Sequence, residues 1–458
     1  MLDSDSLETL IEAVRKLDEG FQALPSYSPD VPGGERLTEI LHEAAARLHD
    51  NYPYFHPLYA GQMLKPPHPV ARLAYALTMY VNPNNHALDG GRATSAMEKE
   101  AVAEIAAMFG WREHLGHLCG GGTLANLEAL WVAGQLRPGK TILASQQAHY
   151  THSRISAVLQ LPFESVPVDA RGKMDMSALA KRLGKGDVGT VVATLGTTAI
   201  GSVDPLPAIL ELQRQHGFRI HADAAYGGYF ALLESLEADA TKAFAQVAHS
   251  DSIVIDPHKH GLQPYGCGCV LFRDPAVGKL YKHDSPYTYF SSAELHLGEI
   301  SLECSRPGAA AAALWATQRL LPLIRGGAMA ESLQRSRNAA LKLYARLRRD
   351  PAFISAFPPE LDIVVFAPRA ASFSESSALS RQVFSEAAKL DLHLAVAELP
   401  AALWRAHNPD LREDRKTLTC LRSVLMKPEH LDWIDAIWER LQSAARAALS
   451  AAPRSTTA

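Results

Sequence analysis

The chain has no long uncharged apolar run. Its hydrophobic stretches are short or broken by Gly, Thr and Pro, which excludes a membrane-crossing helix. Cysteine is scarce and odd in number, five in 458 residues. Cys119, Cys267, Cys269, Cys304 and Cys420 follow no secreted framework spacing, so reduced thiols and a cytoplasmic setting are expected. An excess of one charge is missing too: the formal net charge of −4 gives no reason to expect nucleic acid or an anionic membrane as partner. No signal peptide is expected, because Met1-Leu2-Asp3-Ser4-Asp5 is acidic where a signal peptide carries positive charge. No internal repeat is visible, and no metal site is expected. Cys267-Gly268-Cys269 puts two thiols on one face of a strand, but no matching Cys or His pair lies at finger-like spacing, so the pair reads as sheet packing.

With 47% apolar and 21% charged residues the composition is that of an ordinary globular enzyme, and the length calls for two or three packed regions. Residues 7–17 and 36–49 carry helical periodicity around a Pro/Gly-rich stretch, Pro25 to Gly34, which predicts an N-terminal helical arm at 1–65. From 66 to 320, helical patterns alternate with the strand candidates Thr141–Ser145, Val188–Leu195, Arg219–Asp223, Ser252–Asp256 and Cys267–Phe272. That alternation predicts a large α/β domain on a mostly parallel sheet. Beyond Pro322 a basic helix near Ala330–Arg349, strands near Asp362–Ala367, His393–Ala397 and Leu418–Val424, and a last helix near Trp433–Leu449 predict a small C-terminal α+β domain at 321–450. A disordered tail is expected at 451–458. Ser95-Ala96-Met97-Glu98 reads as a capping box opening a structural helix with the stripe Met97, Ala101, Ile105, Met108 and Phe109.

The chemistry gathers at predicted strand ends. Arg219–Asp223 ends in an acid followed by Ala224-Ala225-Tyr226-Gly227-Gly228. Ser252–Asp256 runs into Pro257-His258-Lys259. A lysine amine that holds an aldehyde, with a carboxylate that keeps a pyridine nitrogen protonated, is what pyridoxal 5'-phosphate (PLP) chemistry requires. Gly120-Gly121-Gly122-Thr123 precedes a helical run, where free N–H groups suit a phosphate. That turn carries neither a G-x-G-x-x-G fingerprint nor a G-K-[ST] ending, which disfavours dinucleotide and nucleoside-triphosphate readings. His149 follows the strand Thr141–Ser145, where an imidazole suits a flat ring. Thr194-Leu195-Gly196-Thr197-Thr198 brings hydroxyls to another strand end, and His258 is placed to donate to a phosphate. All fall at the crevice where open α/β sheets bind ligands.

Gln147-Ala148-His149, Thr194–Thr198, His221-Ala222-Asp223-Ala224-Ala225-Tyr226-Gly227-Gly228 and Asp256-Pro257-His258-Lys259 together resemble the group II PLP-dependent amino-acid decarboxylases, of the fold-type-I (aspartate aminotransferase-like) superfamily. Asn82-Pro83-Asn84-Asn85, Gly116-His117-Leu118, Leu314-Trp315-Ala316 and Leu421–Pro428 are similar to the bacterial and archaeal tyrosine decarboxylase branch, so the resemblance covers about residues 50–430. It implies that Lys259 carries the cofactor as a Schiff base, that Asp223 is the pyridinium partner and that His149 stacks on the ring. Ala225 is then the small residue on the opposite face; Gly122, Thr123 and His258 are phosphate contacts; and Thr197 and Thr198 lie near the ring. It also implies an obligate homodimer with the site at the interface and the arm packed across it. Tyr59, Gln62, Asn85 and His86 are the expected substrate contacts, reaching across the dimer. Two departures stand out. His260 follows the lysine where many relatives have Met or Trp, and the segment His283–Gly308 is compact where many carry a longer loop with a proton-donating tyrosine. Tyr289, ahead of Tyr287, is the candidate for that role.

The expected reaction is decarboxylation of an L-amino acid to the amine, aromatic and tyrosine-like by resemblance, with an aspartate- or glutamate-type substrate as the alternative. Other PLP reactions stay open, namely transamination, carbon–carbon lysis and aldehyde-forming decarboxylation. Arg422 carries the ambiguity with transaminases, which grip the α-carboxylate with arginine; its other reading is a structural contact in the small domain.

Overall fold

The computed structural model describes residues 3–27, 33–282 and 296–451. Among them the first sheet has seven strands: β1 (Leu115–Cys119), β2 (Thr141–Ser145), β3 (Phe163–Val166), β4 (Val188–Thr194), β5 (Arg219–Asp223), β6 (Ser252–Ile255) and β7 (Gly268–Phe272). Their order is β1-β7-β6-β5-β4-β2-β3. β7 runs antiparallel to both β1 and β6, and the other pairings are parallel. The central strands are buried along their length, as the Val/Ile runs demand of a sheet covered on both faces. Thr194 is in register with Asp223, and Asp223 with Val254, so three neighbouring strands end at one level. This fold-type-I architecture follows from the alternation of strand and helix patterns.

A second sheet, β8 (Phe353–Ser355), β9 (Ile363–Pro368), β10 (Ala395–Pro400) and β11 (Thr417–Val424), has the order β10-β11-β9-β8 and is antiparallel throughout. Helices Phe373–Ala388 and His430–Ala451 pack their apolar faces against it. Leu58 and Ala60 belong to this second core, and Ala60 exchanges backbone bonds with His393 and Val424. The end of the segment read as an arm is thus built into the small sheet's surroundings. The two leading helices, Ser4–Glu19 and Glu35–Leu48, bury no residue.

One local reading is corrected. Ser95 caps nothing: the helix spans Leu88–Met108, with Gly91 out of helical geometry, and Glu98 is a buried hub. Its carboxylate pairs with Arg306 at 2.6 Å and accepts from Leu118 N–H at 2.9 Å and the Asn85 amide at 2.7 Å. Gly134–Thr141 has the letters G-x-x-x-x-G-K-T of a nucleotide-binding loop. It leaves helix Gly122–Leu136 and enters β2, the reverse of the strand–loop–helix order that aims N–H groups at a phosphate. Among the described residues, no helix is long and apolar enough to cross a membrane.

Candidate active site

The C-terminal ends of β2, β4, β5 and β6 and the glycine turn after β1 surround one cavity of about 530 Å³, within the size range of small-ligand pockets. Gly122, Thr123, His149, Thr198, Asp223, Ala225, His258 and Lys259 all line it. The lysine expected after β6 and the acid expected at the end of β5 therefore face one space.

At one end is the glycine turn. Gly121 has φ +137°, a conformation that L side chains rarely adopt, and a Cβ on Gly122 would lie 2.6 Å from Asp256 Oδ2. The chain can approach Asp256 this closely only without side chains. Helix Gly122–Leu136 then starts with no side-chain cap, so its first N–H groups are open to an anion in the cavity. His258 gives its Nδ1 proton to Cys267 O at 2.8 Å, which leaves Nε2 as the nitrogen for any other partner. Burial pushes its imidazole below the ordinary value.

Lys259 Nζ lies 2.9 Å from Asp256 Oδ2. Asp256 Oδ1 and Thr194 Oγ1, both from wall residues, are buried without a hydrogen-bond partner in the structure. Orphaned polar atoms on a cavity wall are costly unless something polar fills the space. His149 accepts at Nδ1 from Thr151 N–H at 3.3 Å, and burial lowers its imidazole pKa. Asp223 is held by two donors, His152 Nε2 on Oδ2 at 2.8 Å and Ala225 N–H on Oδ1 at 3.2 Å. Burial alone pushes its carboxyl up, but the His152 hydrogen bond and nearby positive charge, Lys259 included, outweigh it. The net result lies well below the usual carboxylate range.

Glycine-bounded N–H groups for a phosphate, an ionised carboxylate, an imidazole, an amine and two unsatisfied polar atoms on one wall fit PLP as a donor set. The whole-chain comparisons agree. Residues 135–369 match the family model described as the pyridoxal-dependent decarboxylase conserved domain. The chain belongs to the pyridoxal-dependent decarboxylase family. Its reaction is the removal of carbon dioxide from an amino acid, with PLP as cofactor. It is 28% identical to an L-tyrosine decarboxylase of Enterococcus faecium, over 70% of this chain and 72% of that one. It is 31% identical to a probable L-tyrosine/L-aspartate decarboxylase of Methanospirillum hungatei, over 60% of this chain and 72% of that one. The fold matches mouse CSAD at TM-score 0.78 and 20% identity, covering 97% of this chain and 99% of that one. It also matches Oryza sativa TDC, solved with PLP and tryptamine, at TM-score 0.78 and 17% identity over the same shares.

Other expected positions lie elsewhere in this decarboxylase. Thr197 is not on the cavity wall; it is fully buried, with its hydroxyl oxygen taking the Ser202 N–H at 3.0 Å. Asn85 is likewise buried, its amide committed to Thr94 O and Glu98, so it has no face toward the cavity. Tyr59 is buried beneath Lys427, whose ammonium sits 5.2 Å from the ring centre. Gln62 accepts from Arg422 Nη1 at 2.9 Å, and His86 packs against Gly298. None of the four substrate candidates lines the cavity of this chain. Tyr287 and Tyr289 lie outside the described residues. His260 is not on the cavity wall; it packs edge-on to Tyr226 and Phe230 and lies 3.3 Å from Asp362 Oδ2. The wall also includes Asn126, Thr151, Tyr226 and Tyr265, which the sequence reading did not single out.

Proposed function

We propose that this decarboxylase takes an aromatic L-amino acid, tyrosine-like by preference, and releases carbon dioxide and the amine. The carrying observation is the convergence of Lys259 and Asp223 on one cavity whose described wall includes Leu124, Leu127, Tyr226 and Tyr265 but no arginine. An aromatic side chain suits that wall, whereas an acidic one needs a cation beyond Lys259. The relative from Enterococcus faecium is named for tyrosine; the archaeal relatives named for tyrosine and aspartate keep the acidic substrate as the second reading.

In this reading Lys259 holds the cofactor's aldehyde carbon, and Gly122, Thr123 and His258 hold its phosphate. His149 and Ala225 flank its ring, Thr198 lies near it, and Asp223 keeps the ring nitrogen protonated. Bound there, PLP supplies an electron sink for the pair left on the α-carbon when carbon dioxide departs. Tyr289, ahead of Tyr287, is proposed to return the proton.

Arg422 bears on the choice of reaction. Its guanidinium donates to Thr198 O at 2.7 Å, Ala199 O at 3.1 Å, Gln62 Oε1 at 2.9 Å and Gly61 O at 3.5 Å. A charge-assisted bond to the α-carboxylate, worth about 1.5–3 kcal/mol in the ground state, slows carbon dioxide loss by roughly one to two powers of ten. An arginine occupied by carbonyls and an amide leaves that carboxylate loosely held, which supports decarboxylation over transamination.

The exposed apolar side chains of the leading helices, Leu7, Ile11, Leu37, Ile40 and Leu41, support a homodimer that covers them and closes the site at its interface. Sedimentation at micromolar concentration should give twice the chain mass. A cytoplasmic setting agrees with the five unpaired thiols.

The test of substrate is carbon dioxide release from a panel of L-amino acids by the PLP-loaded protein, with the product identified. Tyrosine giving tyramine at the highest kcat/KM is the expected outcome. A higher value for aspartate, or a keto acid or aldehyde as product, overturns the reading.

A further inference from the structure

Helix Thr151–Val158 starts two residues after His149, and its second residue, His152, is wholly buried. Its Nε2 meets Asp223 Oδ2 at 2.8 Å. Its other nitrogen, Nδ1, is buried and has no hydrogen-bond partner in the structure. An N–H in that place would be an unsatisfied donor, so the tautomer that fits carries its proton on Nε2 and gives it to Asp223. On the same face of β5, two residues before Asp223, lies His221. Its Nε2 donates to Asn126 Oδ1 at 2.7 Å, and its Nδ1 takes the Ser252 hydroxyl at 2.9 Å. Burial pushes His221 down to about 3, so it brings no charge to the acid.

The two bonds on Asp223 fix its plane. The backbone N–H of Ala225 holds one oxygen and the His152 imidazole the other, so the carboxylate cannot rotate without breaking one of them. A carboxylate that must meet a single ring nitrogen gains from such fixing, because the cost of ordering it is met during folding rather than binding.

We infer that His152 is a positioning residue that orients Asp223 toward the cofactor's ring nitrogen. The inference rests on the reading of Asp223 as the ring-nitrogen partner. His152 touches neither cofactor nor substrate in this scheme and acts only through the carboxylate.

The test uses the full-length protein and PLP affinity, measured by titrating the cofactor-free form. His152→Leu removes the donor. His152→Gln places an amide N–H near the position of Nε2, whereas the amide of His152→Asn is too short to reach. Losing one charge-assisted bond should raise the PLP dissociation constant roughly tenfold in the Leu and Asn variants. The Gln variant should stay within about threefold of wild type. With 1-deaza-PLP, in which carbon replaces the ring nitrogen, wild type and variants should bind alike, which a loss of packing alone would not produce. Should His152→Leu fail to fold, the Asn and Gln pair still decides. Wild-type affinity in the Asn variant, equal losses in Asn and Gln, or an undiminished loss with the deaza analogue overturns the inference. Asp223→Asn separates the two levels. If it loses affinity while His152→Asn does not, only the His152 role fails; if it binds PLP like wild type, the assignment of Asp223 fails as well.

Discussion

Asp223 at the end of β5 and Asp362 at the entry to β9 are both carboxylates with almost no contact with water, yet their surroundings act in opposite directions. Asp223 meets an imidazole, a backbone N–H and the nearby charge of Lys259, and is held well below the usual range despite its burial. Burial pushes Asp362 up to about 6, against the Tyr226 hydroxyl on Oδ1 at 2.5 Å and the charge of Lys65; Oδ2 has no hydrogen-bond partner in the structure. A third buried acid separates the causes. Asp204 accepts two backbone N–H groups, from Met174 and Thr194, each at 2.8 Å, and burial still pushes it up to about 7. Amide donors alone do not keep a buried carboxylate ionised. The imidazole makes the difference, since Asp204 and Asp362 have cations nearby too, Lys173 and Lys65, and are still raised.

The widest separation between the two regions is expected in turnover. Lys259→Ala should lower kcat by about a thousandfold or more, because no other amine lines the described cavity wall. Retained activity would sink the assignment of the lysine. Asp223→Asn keeps the shape and removes the charge, and should lower kcat by about a hundredfold. Asp362→Asn should lower it less than about tenfold, since that carboxylate reaches the cavity only through the Tyr226 hydroxyl. Equal losses at the two positions would mean that burial, and not the donor set, distinguishes them.

The strands that fix the site were readable because buried parallel strands must be apolar runs and their polar residues collect at the ends. β1 and β3 were not. β1 hides a histidine in a dry sheet, where His117 is bound to Glu128 at 2.9 Å, a partner on the following helix that no local pattern reveals. β3 is a short edge strand with three of four residues partly or fully exposed, so it shows no apolar run. The same limit applies within the site. Asp223, Lys259 and His149 carry their meaning in residue type and in position at a strand end. His152 carries none until Asp223 lies against it, and Asn85 resembled a pocket residue until Glu98 claimed its amide. Side chains whose roles depend on a distant partner are the ones that sequence reading passed over or misplaced.

The smallest expected effect is on stability, and its sign follows from the direction of the Asp362 shift. Raised from 3.8 to about 6, the folded carboxyl binds a proton more tightly than the unfolded one. Stability from this group is therefore fully present below about pH 4 and is lost as pH rises through about 6, by roughly 3 kcal/mol in all. Lys65, lowered by burial to about 8, stays charged across that window, and burial disfavours charge on His260 as well. Asp362→Asn removes the titration and leaves those neighbours in the same state. The unfolding free energy of the variant relative to wild type should thus improve by about 2 kcal/mol between pH 4.5 and pH 6.5, measured by denaturant titration. Asp223→Asn should show no such gain there, because a depressed carboxyl loses its contribution only as pH falls toward its folded value, below this window. Parallel pH profiles for wild type and Asp362→Asn would place the two acids in the same electrostatic class and remove the contrast between the regions.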